Sequence, residues 1–387
     1  MGEQCQQNLN RDWRYTSASK TYLIFSGIIV LLTLFFVTGF LPDRLSAATI
    51  HIPQGNRTLQ DAVDTAEPGD TIIVAPGTYH FFYDKLAISK ESLTIKSSHG
   101  AQQTILLGRG TGPVVIFYKG SKAVLDGFTI TSVAGSRVVD LQGGGIYCAP
   151  ESAPVILNNV ITKNEAVLGG GIYCDTLSAP IIDNNIISNN TATVTGGGVF
   201  SYRSSAIISN NLLMDNKAAN SGGAIGCNRD TSRINNNIIW KNRAGFGGGI
   251  SCDRAASIIA NNTIVLNVAD YGGGVVVEKG SVRLTNLILW QNTNNDVYLK
   301  QVGPSARPAY SLIGDGSFRG INGNISEDPT FVNMEDGDFH LLPLSPGIDT
   351  GSMDPFYMDT DGTFSDMGAY GGPELFPVNN EIFFDKD

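Results

Sequence analysis

Charge is what this sequence has least of. Only 16% of its 387 residues are charged, against about 25% in an average globular chain. The 26 Lys and Arg residues form no basic run, and with 36 Asp and Glu residues the net charge is −10. That argues against nucleic acid as a partner, because neutralising phosphates takes a basic face. Histidine is nearly as scarce: His51, His80, His99 and His340 all lie outside the repetitive middle of the chain. Imidazole chemistry is therefore not expected there. No two aspartates are adjacent anywhere. What abounds instead is glycine, with 45 residues, well over the usual share of about 7%. The 42% of hydrophobic residues suffices for a real core.

The N-terminus carries the one long apolar run. Thr21 to Leu41 reads TYLIFSGIIVLLTLFFVTGFL without a charge, enough as a helix to span a hydrocarbon core of ~30 Å. Arg11, Arg14 and Lys20 precede it, and such cations stay cytoplasmic, which places the rest of the chain outside the cytoplasm. Two outcomes stay open. Ser46 and Ala48 supply the small residues of a signal cleavage site, or the segment is retained and membrane contact is made through residues 21–41. Residues 1–48 are thus a cytoplasmic stretch followed by a signal peptide or signal anchor.

A block reading GGGIYC at Gly143 returns at Gly169 and then, as GGGVFS, GGAIGC, GGGISC and GGGVVV, at Gly196, Gly222, Gly247 and Gly272, a period of 25 to 27 residues. Between the blocks run PVILNNVITKN, PIIDNNIISNN and their successors. Asn159, Asn185, Asn211, Asn237 and Asn262 form one column, and Asn164, Asn190, Asn216, Asn242 and Asn267 another. The last turn keeps Asn286 and Asn292, one residue further apart. Periods of 20 to 50 residues mark solenoids. Short β-branched runs broken by Asn or Gly exclude helical repeats. Three short strands per turn, stacked at ~4.8 Å, would align Ile146, Ile172, Val199, Ile225, Ile250 and Val275 into an inward column. The Asn and Gly columns are expected to build sharp bends, Asn by adopting the left-handed conformation and hydrogen-bonding above and below. The expected fold is all-β, a single-stranded right-handed parallel β-helix of about ten turns spanning 49–309.

TLQDAVDTAEPGDTIIVAPGTYHF followed by SLTIKSSHGAQQTILLG resembles the opening turns of the pectate-lyase-like superfamily of β-helices, which implies a helical cap near Leu59–Ala66. The GGGI and N-x4-N columns are similar to repeats of polymorphic outer-membrane proteins. Residues 310–372 resemble the C-terminal segment of exported bacterial β-helices. That implies a capping role, with Phe331, Phe339, Leu341, Leu342 and Ile348 over the last turn, and 373–387 is left as a tail. Polygalacturonase-type hydrolysis matches poorly for want of an Asp-Asp pair, and Ser98-His99-Gly100 reads as a turn.

Just past the Cys column, successive turns present Asp175, then Tyr202 and Arg203, then Asn228, Arg229 and Asp230, then Asp253 and Arg254. Arg203, Arg229 and Arg254 would sit one strand spacing apart. Such a cationic column could bind an acidic glycan and neutralise its uronates, as β-elimination also requires. The alternative is a ladder whose Arg and Asp charges cancel on a solvated wall. Tyr147, Tyr173 and Phe200 would stack on the outside, and Phe246, Tyr271, Trp240 and Trp290 could add sugar-binding faces or simply pack. Cys148, Cys174, Cys227 and Cys252 share one place in four turns, either as adjacent-turn disulfides 148/174 and 227/252 or as stacked buried thiols. Asp359, Asp361 and Asp366, around Gly362, offer either a calcium loop or a plain Asx-stabilised turn. Functionally, three readings stand: a carbohydrate-interacting surface or secreted protein, a structural surface module or adhesin without catalysis, and a polysaccharide lyase.

Overall fold

The computed structural model describes residues 47–373, apart from 54–57, 83, 134–141 and 304–305. The apolar segment 21–41 and the tail beyond 373 lie outside the described residues. Among the described residues no helix is long and apolar enough to cross a membrane.

The chain winds as a right-handed parallel β-solenoid with three walls. Wall A holds ten strands from Thr49–Ile52 to Arg283–Thr285, wall B ten from Gly77–Phe81 to Leu312–Ile313, and wall C nine from Leu86–Ile88 to Val297–Val302. A small fourth sheet, Glu165–Leu168, Thr191–Thr195 and Lys217–Ala218, bridges walls B and C in the middle turns. Strands are only a few residues long because every turn must bend at fixed places. Ile146, Ile172, Val199, Ile225, Ile250 and Val275 stand in register along wall C and are fully buried, as the repeat predicts. Burying one such side chain contributes about 1.5–3 kcal/mol.

Between walls A and B the bend is made by two residues with separate tasks. Asn159, Asn185, Asn211, Asn237 and Asn262 point inward and form a ladder: the main-chain N–H and side-chain Nδ2 of each of the first four donate to the Oδ1 of the next turn's asparagine at 2.9–3.2 Å, ending on Asn262. Each Nδ2 also reaches back to a carbonyl of the previous turn, such as Ile182 for Asn211. The left-handed conformation belongs instead to the residue before, Asn158, Asn184, Asn210, Asn236, Asn261 and Asn286, at φ 51–55°. The expectation that ladder and bend are one column is therefore corrected. A laddered side chain needs the extended backbone that aims it inward, whereas the bend residue faces out.

Past wall B a second ladder runs from Asn164 to Asn292 and ends on the buried carboxylate of Asp296, which accepts both Asn292 N–H groups. Asn286 proves to be a bend residue, so Leu287 occupies the first ladder's next place. Its N–H is taken by Ser311 Oγ, whose own N–H goes to Asn324. Counted from Leu287 the spacing to Asn292 is the usual five residues, so the turn holds no extra residue.

At the N-terminus, Leu59–Thr65 is a helix with Thr58 as N-cap, burying Leu59, Ala62 and Val63 on the core. Gln60 hydrogen-bonds both the N–H and the C=O of Ala87 in the first strand of wall C, which blunts an exposed edge. The C-terminal segment departs from the sequence expectation. Leu312–Ile313 does extend wall B, but Phe331 and Phe339 fold back along the outside of that wall, against Ile238, Trp240, Val265 and Trp290. Leu342 stays exposed. The outer face of wall B is apolar in these turns, so cover is needed along the side and not only at the end.

Asn211→Ala would orphan the Ile182 carbonyl and the Asn185 N–H, at about 1–3 kcal/mol for each buried group. Lys163→Gly, at an exposed bend residue with φ 57°, should leave stability unchanged or raise it by up to ~1 kcal/mol. Urea unfolding of the two variants checks this; equal losses would contradict the division of tasks.

Candidate functional site

The site lies at the corner where wall C hands over to wall A. Tyr202, Asn228 and Asp253 are Cα partners across three turns. The next residue in each turn, Arg203, Arg229 or Arg254, takes φ 50–53° and projects into solvent. Glu151 and Leu177 adopt the same conformation in the two turns before, so the bend is architectural and only its occupant changes to arginine. The corner is held by main-chain bonds from Arg203 N to Asn228 O and from Arg229 N to Asp253 O.

Neutralisation by a ladder is only partial. Arg254 Nη1 lies 3.6 Å from Asp253 Oδ2, and that oxygen also accepts from Asn228 Nδ2 at 3.1 Å. Arg203 rests over the Tyr202 ring, 5.4 Å from its centroid. Among the described residues no carboxylate pairs with Arg203 or Arg229. Asp175 is engaged elsewhere, accepting from Tyr147 Oη at 2.7 Å and from the Thr176 N–H. The following turn places exposed Lys279 opposite Asp253. Sequence spacing missed this cation because the register shifts there.

Asp230 is a correction. Its side chain is 1% exposed and points into the solenoid, so it cannot meet an external ligand. It replaces solvent with four donors: Ser201 Oγ, Ser232 Oγ, Ser257 Oγ and the Ser232 N–H, at 2.7–3.1 Å. Ser201, the residue that interrupts the cysteine column, is thus a partner of this buried carboxylate. Burial still lifts the Asp230 carboxyl above its ordinary range, against the pull of those bonds.

The four cysteines of the column, Cys148, Cys174, Cys227 and Cys252, are free and buried, the stacked-thiol reading of the column. Hydrogen bonding within the pairs, then burial, pushes the Cys174 and Cys227 thiols well up, which keeps them unreactive. Tyr147, Tyr173 and Phe200 do stack, with centroids 5.6–5.7 Å apart. Tyr173 and Phe200 are nevertheless buried, so the expected exposed aromatic face is lost. Burial raises both tyrosine hydroxyls above their usual pKa, unsuiting them as bases near neutral pH. Trp240 packs edge-on against Phe339, and Trp290 lies in the same cluster. Phe246 and Tyr271 stack in parallel at 5.1 Å, with Tyr271 half exposed.

Of the three candidate metal ligands, Asp359 and Asp366 come together, joined by Asp349, with ligand oxygens within 4.8 Å of one another. Asp361 turns away and binds Thr363. Asp359 already accepts from the Asp366 and Gly372 N–H groups, and Asp366 from the Asp349 N–H. Burial first, and neighbouring carboxylates after it, push Asp359 and Asp366 upward.

The sequence model of the family described as right handed beta helix region matches residues 101–225 and 144–304. No curated protein sequence matches the chain. Among solved structures, pectate lyase Pel9A superposes with a TM-score of 0.57 at 12% identity, covering 84% of this chain and 96% of that one. The PL6 family alginate lyase AlyGC, in a mutant form, gives a TM-score of 0.34 at 13% identity over 73% of this chain and 40% of that one.

An acid whose pKa is raised by folding contributes stability that is full below its unfolded value and is lost as pH rises through the folded value. For Asp230 the loss therefore begins near 3.8 and runs upward. Asp230→Asn should flatten that part of the curve of unfolding free energy against pH. Parallel curves for the two proteins would contradict a strained buried carboxylate.

Proposed function

Because the chain belongs to the right-handed β-helix family, a fold shared by many activities, we infer that its function lies in the side chains its walls display. We propose that it binds an acidic polysaccharide along Arg203, Arg229 and Arg254 outside the cytoplasm, either secreted or held at the membrane by residues 21–41. One observation carries this reading: three guanidinium groups repeat at one strand spacing, and two of them lack a carboxylate partner among the described residues. A polymer lying along the solenoid axis would meet one cation per turn, at ~4.8 Å intervals. Each guanidinium could form a paired hydrogen bond with a carboxylate. The likeness to a pectate lyase agrees with a polyuronate as the ligand class.

Binding is favoured over elimination at this corner. A lyase needs a base for the α-proton as well as charge neutralisation. Asp175 and Asp253 are tied up in hydrogen bonds, Asp230 is interior, Tyr147 and Tyr173 are held protonated, and Lys279, opposite Asp253 at the end of the column, is the basic side chain left for that role. A structural surface module without a glycan ligand is the rival. Calcium enters the proposal through Asp349, Asp359 and Asp366, which supply three of the six to eight oxygens the ion takes. Water would complete the shell, and the ion would pin the C-terminal segment.

Wild-type protein should be retained on immobilised polygalacturonate and elute with rising salt. The Arg203→Gln, Arg229→Gln, Arg254→Gln triple variant should lose retention at least tenfold with an unchanged thermal midpoint. Equal retention of the two proteins would sink the proposal. For calcium, millimolar CaCl2 should raise the thermal midpoint by several degrees relative to chelator, and Asp349→Asn should abolish the rise. A midpoint indifferent to calcium removes the ion from the account.

A further inference from the structure

Where the folded-back C-terminal segment meets wall A, it leaves a pocket of about 240 Å³ on a different face from the arginine column. Its wall-A side is built from outward residues of three successive turns, Arg233, Ile258 and Arg283, in direct register. The facing side is Asp354, Phe356 and Tyr357. Two arginines two strand spacings apart stand about 9.6 Å apart at Cα, close enough for their long side chains to converge over Ile258. Among the described residues no hydrogen bond or ion pair engages either guanidinium. Both arginines are exposed and stand beside an apolar residue and a 54% exposed phenylalanine, so an anion entering the pocket would meet two guanidinium groups that no protein carboxylate occupies.

The remaining groups define the anion. Asn235 Nδ2 is spent on Asn236, which leaves its Oδ1 as an acceptor at the pocket. Asp354 Oδ1 accepts the Phe356 N–H, and its second oxygen is open. Ile258 and the Phe356 ring supply apolar surface. The combination is two forks for a carboxylate, acceptors for hydroxyls and an aromatic face for C–H groups. A phosphate would use the cations but neither the acceptors nor the apolar faces. The volume falls below the ~300–1,000 Å³ of ordinary drug-sized sites, which suits a single sugar ring.

We propose that this pocket binds one uronic-acid residue, either a free monosaccharide or the end of an acidic glycan chain, with its carboxylate between Arg233 and Arg283 and its ring on Phe356. The pocket exists only because the C-terminal segment docks here. Asn236 Nδ2 bonds Ala369 O and Gly371 O, and Asn261 Nδ2 bonds Ser365 Oγ. The site therefore does not depend on the arginine column.

Titration calorimetry of the full-length chain with sodium glucuronate, and with glucose at the same concentrations, tests it. Saturable binding of glucuronate and none of glucose is expected. Arg233→Gln with Arg283→Gln should weaken binding at least tenfold, as should Phe356→Ala. The Arg203→Gln, Arg229→Gln, Arg254→Gln variant should bind the monosaccharide normally. Equal binding of glucose, no saturable binding up to tens of millimolar glucuronate, or indifference to the Arg233 and Arg283 changes in a variant of unchanged thermal midpoint would overturn the proposal. Polygalacturonate retained while glucuronate is not bound would fail the pocket alone; the reverse would fail the arginine column alone.

Discussion

The asparagine ladders are the interaction on which the rest depends. A solenoid turn of this length must reverse direction three times, and each reversal takes backbone N–H and C=O groups out of the sheets while still surrounding them with protein. An inward asparagine meets both needs of such a bend: its oxygen accepts from the neighbouring turn and its nitrogen returns to a carbonyl. Unmade, each of those bonds would leave a buried group costing about 1–3 kcal/mol. Repeated through five turns at one bend and six at the next, the ladders fix the register between turns.

Fixed register has consequences on every wall. Inside, it aligns aliphatic residues into one core running from Ile52 to Ile313. Outside, it turns any residue repeated in sequence into a column in space, and this is how three arginines become a cationic strip. The same rule puts Arg233, Ile258 and Arg283 together. The bend residues gain a second use near the C-terminus: Asn236, Asn261 and Asn286 face outward, and their side chains hold the returning segment. Fold and candidate ligand pocket thus share one device.

The fold and its inward column were legible because the period, the glycine blocks and the isoleucines recur without ambiguity. The arginine column was legible for the same reason. What escaped were features that break the repeat or join distant segments. Asp230 sits beside Arg229 in sequence but points the other way, because the turn after Asn228 reverses the chain, and Ser201 gave the only hint. Asn286 looked like a ladder member until its conformation placed it in the bend. Asp349 lies ten residues before Asp359 and is brought to it by a loop closure that spacing does not reveal. The pocket needed a partner strand two turns away and a segment seventy residues later.

Amide hydrogen exchange tests the central claim most directly. The N–H groups of Asn159, Asn185, Asn211 and Asn237 lie in bends between strands, where ordinary loops exchange quickly. If the ladders hold the solenoid together, these amides should be as protected as those of the wall strands and should open with them in one cooperative unit. Exchange from these bends at the rate of the exposed turn at Asp361–Thr363, while the wall strands stay protected, would contradict the account.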